Sequence, residues 1–288
     1  MRAQVTLTSP ESKKLIAKAV IRLDSFKRAL DCGLIAMHPS STTASIYEEL
    51  TGRKPKGIWV CGLILPKGTC ISRERQQEKL RGAVNPGVKE HSTEHFRYSW
   101  FFKRGALLEG VPLGDILAEM KPGDIYVKAP NAIDSQGKVG VLYVSIKAGT
   151  LGKAILASKR KKFVILLPTN LEKMVFTPIS EAAKAASRTR TDSAMGIPAG
   201  LMPVHHGQVV TEIDAIRILT GAKAFHIASG GLGGAEGSVT LVVQGTTGQV
   251  RDAVRFIESV KGAKTPRVRS TDCCSCTIES CHRRLGLW

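Results

Sequence analysis

Residues 33–50 read Gly33-Leu-Ile-Ala-Met-His38-Pro-Ser40-Ser-Thr-Thr43-Ala-Ser-Ile-Tyr-Glu-Glu-Leu50. An apolar run, Leu34 to Met37, meets a His-Pro-Ser-Ser-Thr-Thr turn, and an amphipathic helical pattern follows. That is strand, polar turn, helix, the step from which α/β folds are assembled. A helix start leaves its first N–H groups unpaired and carries partial positive charge, so it attracts anions. Ser40, Ser41, Thr42 and Thr43 put small hydroxyls at that spot. Two readings follow: the turn holds the anionic part of a small ligand, or Ser40 or Ser41 only caps the helix.

Upstream, residues 9–31 read as one helix. Ser9 can cap it, Pro10 suits its first position, and Leu15, Ala19, Leu23, Phe26 and Leu30 share a face, with Gly33 ending it. Downstream, the second helix stops near Gly52, and Gly57 to Leu65 is a near-continuous apolar run of the kind covered on both faces in a parallel sheet. Residues 66–111 break this rhythm with charge and turn residues and read as an insertion or lid over the sheet edge, with one aromatic strand around Trp100. The insertion contains His91, Glu94 and His95 in an H-x-x-E-H pattern. Zinc chemistry there needs both histidines on one helical face. Pro86 and Gly87 upstream, and a strand-like run from Phe96, leave room for hardly more than one turn, so a solvated loop is expected.

A second informative stretch begins at Asp124. A strand ends at Lys128, a polar loop carries Asn131, Asp134 and Gly137, and Gly149-Thr150 opens another helix before the buried strand Phe163 to Leu167. In open α/β sheets such loops gather at the carboxyl ends of the strands, where ligands bind.

After a Gly/Pro linker ending near Val204 the pattern restarts. Thr211 and Asp214 form a capping box and Gly221 stops that helix. A strand at Lys223–Ala228, a glycine loop at Ser229–Gly237, a strand at Val239–Gln244 and a helix over 247–261 suggest a small α+β unit of ferredoxin-like type. The glycine loop departs from G-x-G-x-x-G at Glu236 and joins two strands, which favours a flexible hairpin over a phosphate cradle. Glu212 and Asp214 read as a surface pair. The tail, 263–288, is basic and then cysteine-rich. Cys273, Cys276, Cys281 and His282 are candidate zinc ligands, set against a disordered, oxidisable tail.

The chain has 288 residues, 43% hydrophobic, with a net charge of +18 and seven cysteines. No run of 18 apolar residues occurs, so no transmembrane helix is expected. The first residues lack the apolar core of a signal peptide, which makes a cytoplasmic location the expectation. The positive excess is spread along the chain apart from Lys159-Arg160-Lys161-Lys162 and the tail, and no nucleic-acid-binding motif accompanies it. Contact with nucleic acid is therefore expected to be nonspecific and salt-sensitive.

Taken together, Ile35-Ala-Met-His38-Pro-Ser-Ser-Thr-Thr43, Ala129-Pro-Asn131-Ala-Ile133-Asp-Ser-Gln136-Gly137-Lys and Ala148-Gly149-Thr150 resemble, in order and spacing, the superfamily of ribose-5-phosphate isomerase, glucosamine-6-phosphate isomerase and the CoA transferases. Within it the likeness is nearest to methylthioribose-1-phosphate isomerase and the regulatory subunits of the initiation-factor-2B exchange factor, over roughly residues 30–170. The resemblance implies a Rossmann-like, mostly parallel sheet and an anion pocket. The isomerase has a cysteine after the loop histidine, where this chain has Pro39, and an acid where it has Asn131. Proline cannot carry a proton and an amide carries one poorly.

The expectation is thus an α/β core at 1–204 with the 66–111 insertion, a small α+β unit at 205–262 and a tail. Ser40, Ser41, Thr42, Thr43, Gly137, Gly149 and Thr150 would hold an anion, with His38, Asn131 and Asp134 near the reacting centre. The functional expectation is binding of a phosphorylated or otherwise anionic metabolite by a regulatory or ligand-sensing homo-oligomer, with no cofactor and no membrane partner. The alternative is an enzyme of isomerase-like or transferase-like type acting on a sugar phosphate or CoA ester.

Overall fold

The computed structural model describes residues 1–55, 61–72, 99–109, 111–145, 149–266, 268–270, 272–282 and 285–286. The chain opens with β1 (Arg2–Leu7), α1 (Ser9–Val20) and α2 (Asp24–Cys32), then β2 (Leu34–Met37) and α3 (Ser41–Thr51). Two hairpins follow, β3 (Cys61–Leu65) with β4 (Gly68–Ile71) and β5 (Trp100–Lys103) with β6 (Ala106–Leu108). Next come α4 (Leu113–Glu119), β7 (Ile125–Val127), β8 (Ala132–Ile133), β9 (Val139–Tyr143), α5 (Gly149–Lys161) and β10 (Val164–Pro168). A 3₁₀ turn (Leu171–Lys173) leads to α6 (Ile179–Ala185), β11 (Gly200–Val204), β12 (Gln208–Val210) and α7 (Glu212–Thr220), and the last elements are β13 (Lys223–Gly230), β14 (Ser238–Gln244) and α8 (Thr247–Glu258).

The main sheet has six strands in the order β12-β10-β7-β2-β5-β6. β12, β10, β7 and β2 run parallel, while β5 and β6 add antiparallel strands on one side. The sheet is therefore mixed. Residues 100–108, read from the sequence as part of an insertion over the edge, are strands of the sheet itself, with Trp100 opposite Met37 and Lys103 opposite Leu34.

Period-two alternation sorts the side chains onto two faces. Ile35, Met37, Ile125, Val127 and Leu166 face a core shared with α1, α3, α7 and α8, and Ala36, Tyr126, Ile165 and Leu167 face a second core under α4 and α5. Both faces are covered, which is why these parallel strands read as unbroken apolar runs. The first core also takes in Leu7, Val239, Leu241 and Val243 from a three-stranded sheet ordered β1-β14-β13. Helix α1 touches β10 on one side and β14 on another, so it is buried on more than one face.

Four readings change. Residues 9–31 form two helices, because the chain turns at Ile21–Leu23 and restarts with Asp24 in the first turn of α2. The two apolar stripes happen to line up, so periodicity alone could not show the break. The Gly57–Leu65 run is no central strand: its described part pairs antiparallel with β4 across the Pro66-Lys67 turn and leaves Ile64 68% exposed. Residues 57–60 lie outside the described residues. The strand Arg2–Leu7 went unread, and it pairs with β14 from Arg2–Gln244 to Leu7–Val239, across the boundary drawn at residue 204. The tail, expected to be disordered, is a series of turns in its described part, with Ile278, Cys276 and Cys281 packed on Ile71 and Ile197.

The C-terminal helices follow their sequence signals. Thr211 and Asp214 form the capping box of α7, and Gly221 closes that helix in the left-handed conformation at φ 73°. No helix among the described residues is long and apolar enough to cross a membrane.

Candidate functional site at the carboxyl edge of the sheet

Because β2, β7, β10 and β12 run parallel, their carboxyl ends meet on one edge. His38 follows β2, Lys128 follows β7, Thr169 to Lys173 follow β10, and Thr211 with Glu212 follows β12. Backbone bonds continue the ladder past the strands: His38 N–H donates to Val127 O at 3.0 Å, Lys128 N–H to Leu166 O at 3.0 Å, and Thr169 N–H to Val210 O at 2.9 Å. The edge is thus held rigidly at three places.

The serine turn is a capped helix start. Ser40 is the N-cap of α3 and its hydroxyl accepts from Thr43 N–H at 3.1 Å. Thr43 Oγ1 donates to His38 O at 2.7 Å, and Ser45 Oγ donates to Ser41 O at 3.3 Å. Thr42 is fully buried, and its hydroxyl has no hydrogen-bond partner among the described residues. The imidazole of His38 is 4% exposed; burial, and then the nearby Lys128, hold its pKa well below the ordinary value. Replacing Ser40 with Ala is expected to cost about 1 kcal/mol, read by thermal denaturation, since one N–H then loses its acceptor.

The second set of residues is tied up in a hairpin. Asn131 Oδ1 accepts from Leu142 N–H at 3.0 Å. Asp134 accepts from Gln136 N–H and Lys138 N–H through Oδ1 and from Ile179 N–H through Oδ2, each at 3.0 Å. Burial opposes ionisation of Asp134, but these bonds and Lys138 outweigh it and hold the carboxyl below its ordinary value. Gly137 turns the hairpin at φ 73°. Gly149 and Thr150 open α5, whose Leu151 packs in the second core, whereas Ile46 of α3 packs in the first. The two helix starts therefore flank the edge from opposite faces of the sheet.

A group of charged residues that the sequence reading passed over lies between these loops. Lys13, on α1, pairs with Glu172 at 3.2 Å and donates to Ser9 Oγ at 2.7 Å. Asn170 Nδ2 donates to Glu172 Oε1 at 2.6 Å, and Lys173 Nζ donates to Pro130 O at 2.8 Å, beside Asn131. Glu212 is 0% exposed and accepts from Leu171 N–H at 3.0 and 3.1 Å. Glu212 is thus a buried residue and not the surface one expected: its carboxyl is enclosed between Ser12 of α1 and the turn at Leu171 after β10. Burial pushes the Glu212 carboxyl up to about 7 and, with the neighbouring Lys13, pushes the Lys173 amine down to about 8. Burial also opposes ionisation of Glu172, but the charge of Lys13 and hydrogen bonds from Ser9, Asn170 and Lys13 together outweigh it, and the carboxyl sits below its ordinary value. Asn170 is fully buried, and its Oδ1 has no hydrogen-bond partner among the described residues.

The glycine loop reaches this group. It joins β13 to antiparallel β14 as a hairpin, and Gly237, at φ 74°, faces Glu172 so closely that a Cβ would lie 3.0 Å from Oε2. One signal in the sequence could have exposed the group: Thr169-Asn-Leu-Glu-Lys173 is the polar stretch directly after a buried strand, the place where α/β sheets put ligands.

The metal candidates give a sparser picture. Cys276 and Cys281 lie close enough to Cys70 to act on its charge, and burial pushes the Cys70 thiol up. Cys273 is exposed, and His282 N–H donates to Gly196 O at 2.9 Å. No group of three or more His, Cys, Asp or Glu able to hold a metal occurs among the described residues. His91, Glu94 and His95 lie outside them.

Comparison of the chain with protein-family models, with curated proteins and with solved structures returned no match.

Proposed function

We propose that this chain binds a small anionic metabolite, phosphorylated or otherwise, at the carboxyl edge of its parallel strands, and that it acts as a ligand-binding or regulatory protein. The observation that carries this reading is the gathering of Lys13, Lys128 and Lys173 on the edge where α3 and α5 begin. Cations and helix starts favour a bound anion together. Support for binding over isomerisation comes from Asn131 and Asp134, whose side chains are committed to the backbone of the hairpin, and from Pro39 after the loop histidine. On this reading the core is Rossmann-like and the β1-β14-β13 unit with its helices is ferredoxin-like, and the order of the sequence motifs supports a relation to the sugar-phosphate isomerase and CoA-transferase superfamily. For the expected homo-oligomer, the support is β13, an outer strand that exposes Phe225 and Ile227, a combination that single chains generally avoid.

One observation favours the enzyme reading instead. Glu212 and Lys173 are displaced towards neutrality from opposite directions on the same edge, and such pairs cluster where protons are moved.

Thermal-shift measurements against sugar phosphates, nucleotides and CoA esters test the proposal, since a ligand bound only by the folded chain raises its melting temperature. Ser41→Asp places a carboxylate in the first turn of α3, where it suits the helix but repels an anion. The expected result is a shift in wild type that Ser41→Asp abolishes. If no compound shifts the protein, or the shift survives the substitution, the site is wrong. Recovery of the ligand unchanged supports regulation, and its conversion supports the enzyme.

A further inference from the structure

At the opposite edge of the sheet, where β10 and β12 begin, lies a groove of about 450 Å³. Its floor is apolar: Phe163 and Ile165 are buried, and Met202 and Val204 of β11 complete it. Its rim carries Lys159, Lys162, His205 and His206, and no acidic residue lines it among the described residues. We propose that this groove is a second binding site, for a small amphipathic anion with an aromatic or aliphatic body and one phosphate or carboxylate.

Three observations converge on that occupant. The volume falls within the ~300–1,000 Å³ typical of small-molecule sites. The floor suits an apolar body, while the side-chain amines of Lys159 and Lys162 have no partner among the described residues. In contrast, the neighbouring Lys161 amine is turned away to the Ala118 carbonyl. The third is backbone strain. Lys162 sits just past α5 at φ 61°, and its N–H closes the helix on Ser158 O at 2.8 Å. Glycine fills that left-handed cap without cost, and a lysine does not. A basic last turn complements the helix dipole, which accounts for Lys159, Arg160 and Lys161. It does not account for a strained lysine one residue beyond, at the groove. Ser158 Oγ donates to Phe163 O at 2.8 Å and fixes the strand start against the helix end.

The test is equilibrium dialysis of the full chain with 1-naphthyl phosphate, beside 1-naphthol and inorganic phosphate, repeated on Lys159→Gln with Lys162→Gly. The expected result is saturable binding of one 1-naphthyl phosphate per chain, with each half-ligand weaker by about tenfold or more and the double variant weaker by about tenfold or more. Because glycine fits the left-handed cap, Lys162→Gly should melt no lower than wild type, so lost binding is not lost folding. Equal affinity in wild type and double variant overturns the proposal, as does equal affinity for 1-naphthol or an absence of saturable binding at millimolar probe. Loss of probe binding in Ser41→Asp also overturns it, since the probe then sits at the carboxyl edge.

Discussion

Glu212→Gln is expected to raise stability at pH 8 by up to about 3 kcal/mol and to change it little near pH 4. The folded chain keeps a proton on Glu212 up to about 7, because burial raises the carboxyl from its ordinary 4.5. The unfolded chain gives that proton up near the ordinary value. Between the two, the folded state binds more protons, so this carboxyl lowers stability progressively as pH rises and costs most above pH 7. Glutamine keeps an acceptor for Leu171 N–H and has no proton to lose. Urea denaturation of both proteins from pH 4 to 8 measures the difference. A glutamine variant that is less stable at pH 8 would mean that Glu212 is ionised and paired with Lys173, which overturns the neutral-acid description of this edge.

Asp124→Ala is expected to cost about 3 kcal/mol, because two charge-assisted bonds vanish, leaving the buried Leu34 N–H and the part-buried Lys121 N–H without their acceptors. Asp124 is 3% exposed; Oδ1 accepts from Leu34 N–H and Oδ2 from Lys121 N–H, both at 2.8 Å. Its own backbone carbonyl takes Val164 N–H at 3.0 Å. One residue thus fixes the starts of β2, β7 and β10. Gly33 belongs to the same lock. Its φ of −125° lies outside the left-handed region, yet a Cβ there would stand 2.5 Å from Asp124 Oδ1. Close approach of a carboxylate, and not turn handedness, is what the position demands. Asp124→Asn should retain about half of the loss by keeping one acceptor. A loss below about 1 kcal/mol for Asp124→Ala, read from the urea midpoint at constant slope, would show that water replaces the carboxylate.

The two predictions also mark what a sequence can and cannot reveal here. Local signals carried through: the strand–turn–helix at Gly33–Leu50, the Thr211/Asp214 capping box, the stop at Gly221 and the glycine hairpin all depend on neighbours a few residues apart. What failed depends on distant partners. Glu212 sits on a helix face that reads as solvated, because periodicity identifies one apolar face and is blind to a second covering layer. Cys61–Leu65 is as apolar as a central strand, and only the Pro66-Lys67 turn and β4 make it a peripheral hairpin. At the site, the serine turn was legible as a helix start, but the enclosed Lys13–Glu172 pair was not, because no spacing links α1 to the turn after β10.

The pairing of β1 with β14 has a bearing on how the molecule is made. The two strands are more than 230 positions apart, and the same ends are tied again where Glu11 receives Lys261 Nζ at 3.1 Å and Gly262 N–H at 3.0 Å. Strand β1 therefore waits for β14, made more than 230 positions later. Until then Leu7 and the buried face of α1 have no cover from Val239, Leu241 and Val243. Contacts of such long range are slow to form and leave apolar surface open in the interval. Completion of the core, and with it the enclosure of Lys13 and Glu212 at the carboxyl edge, is thereby postponed until β14 has been made.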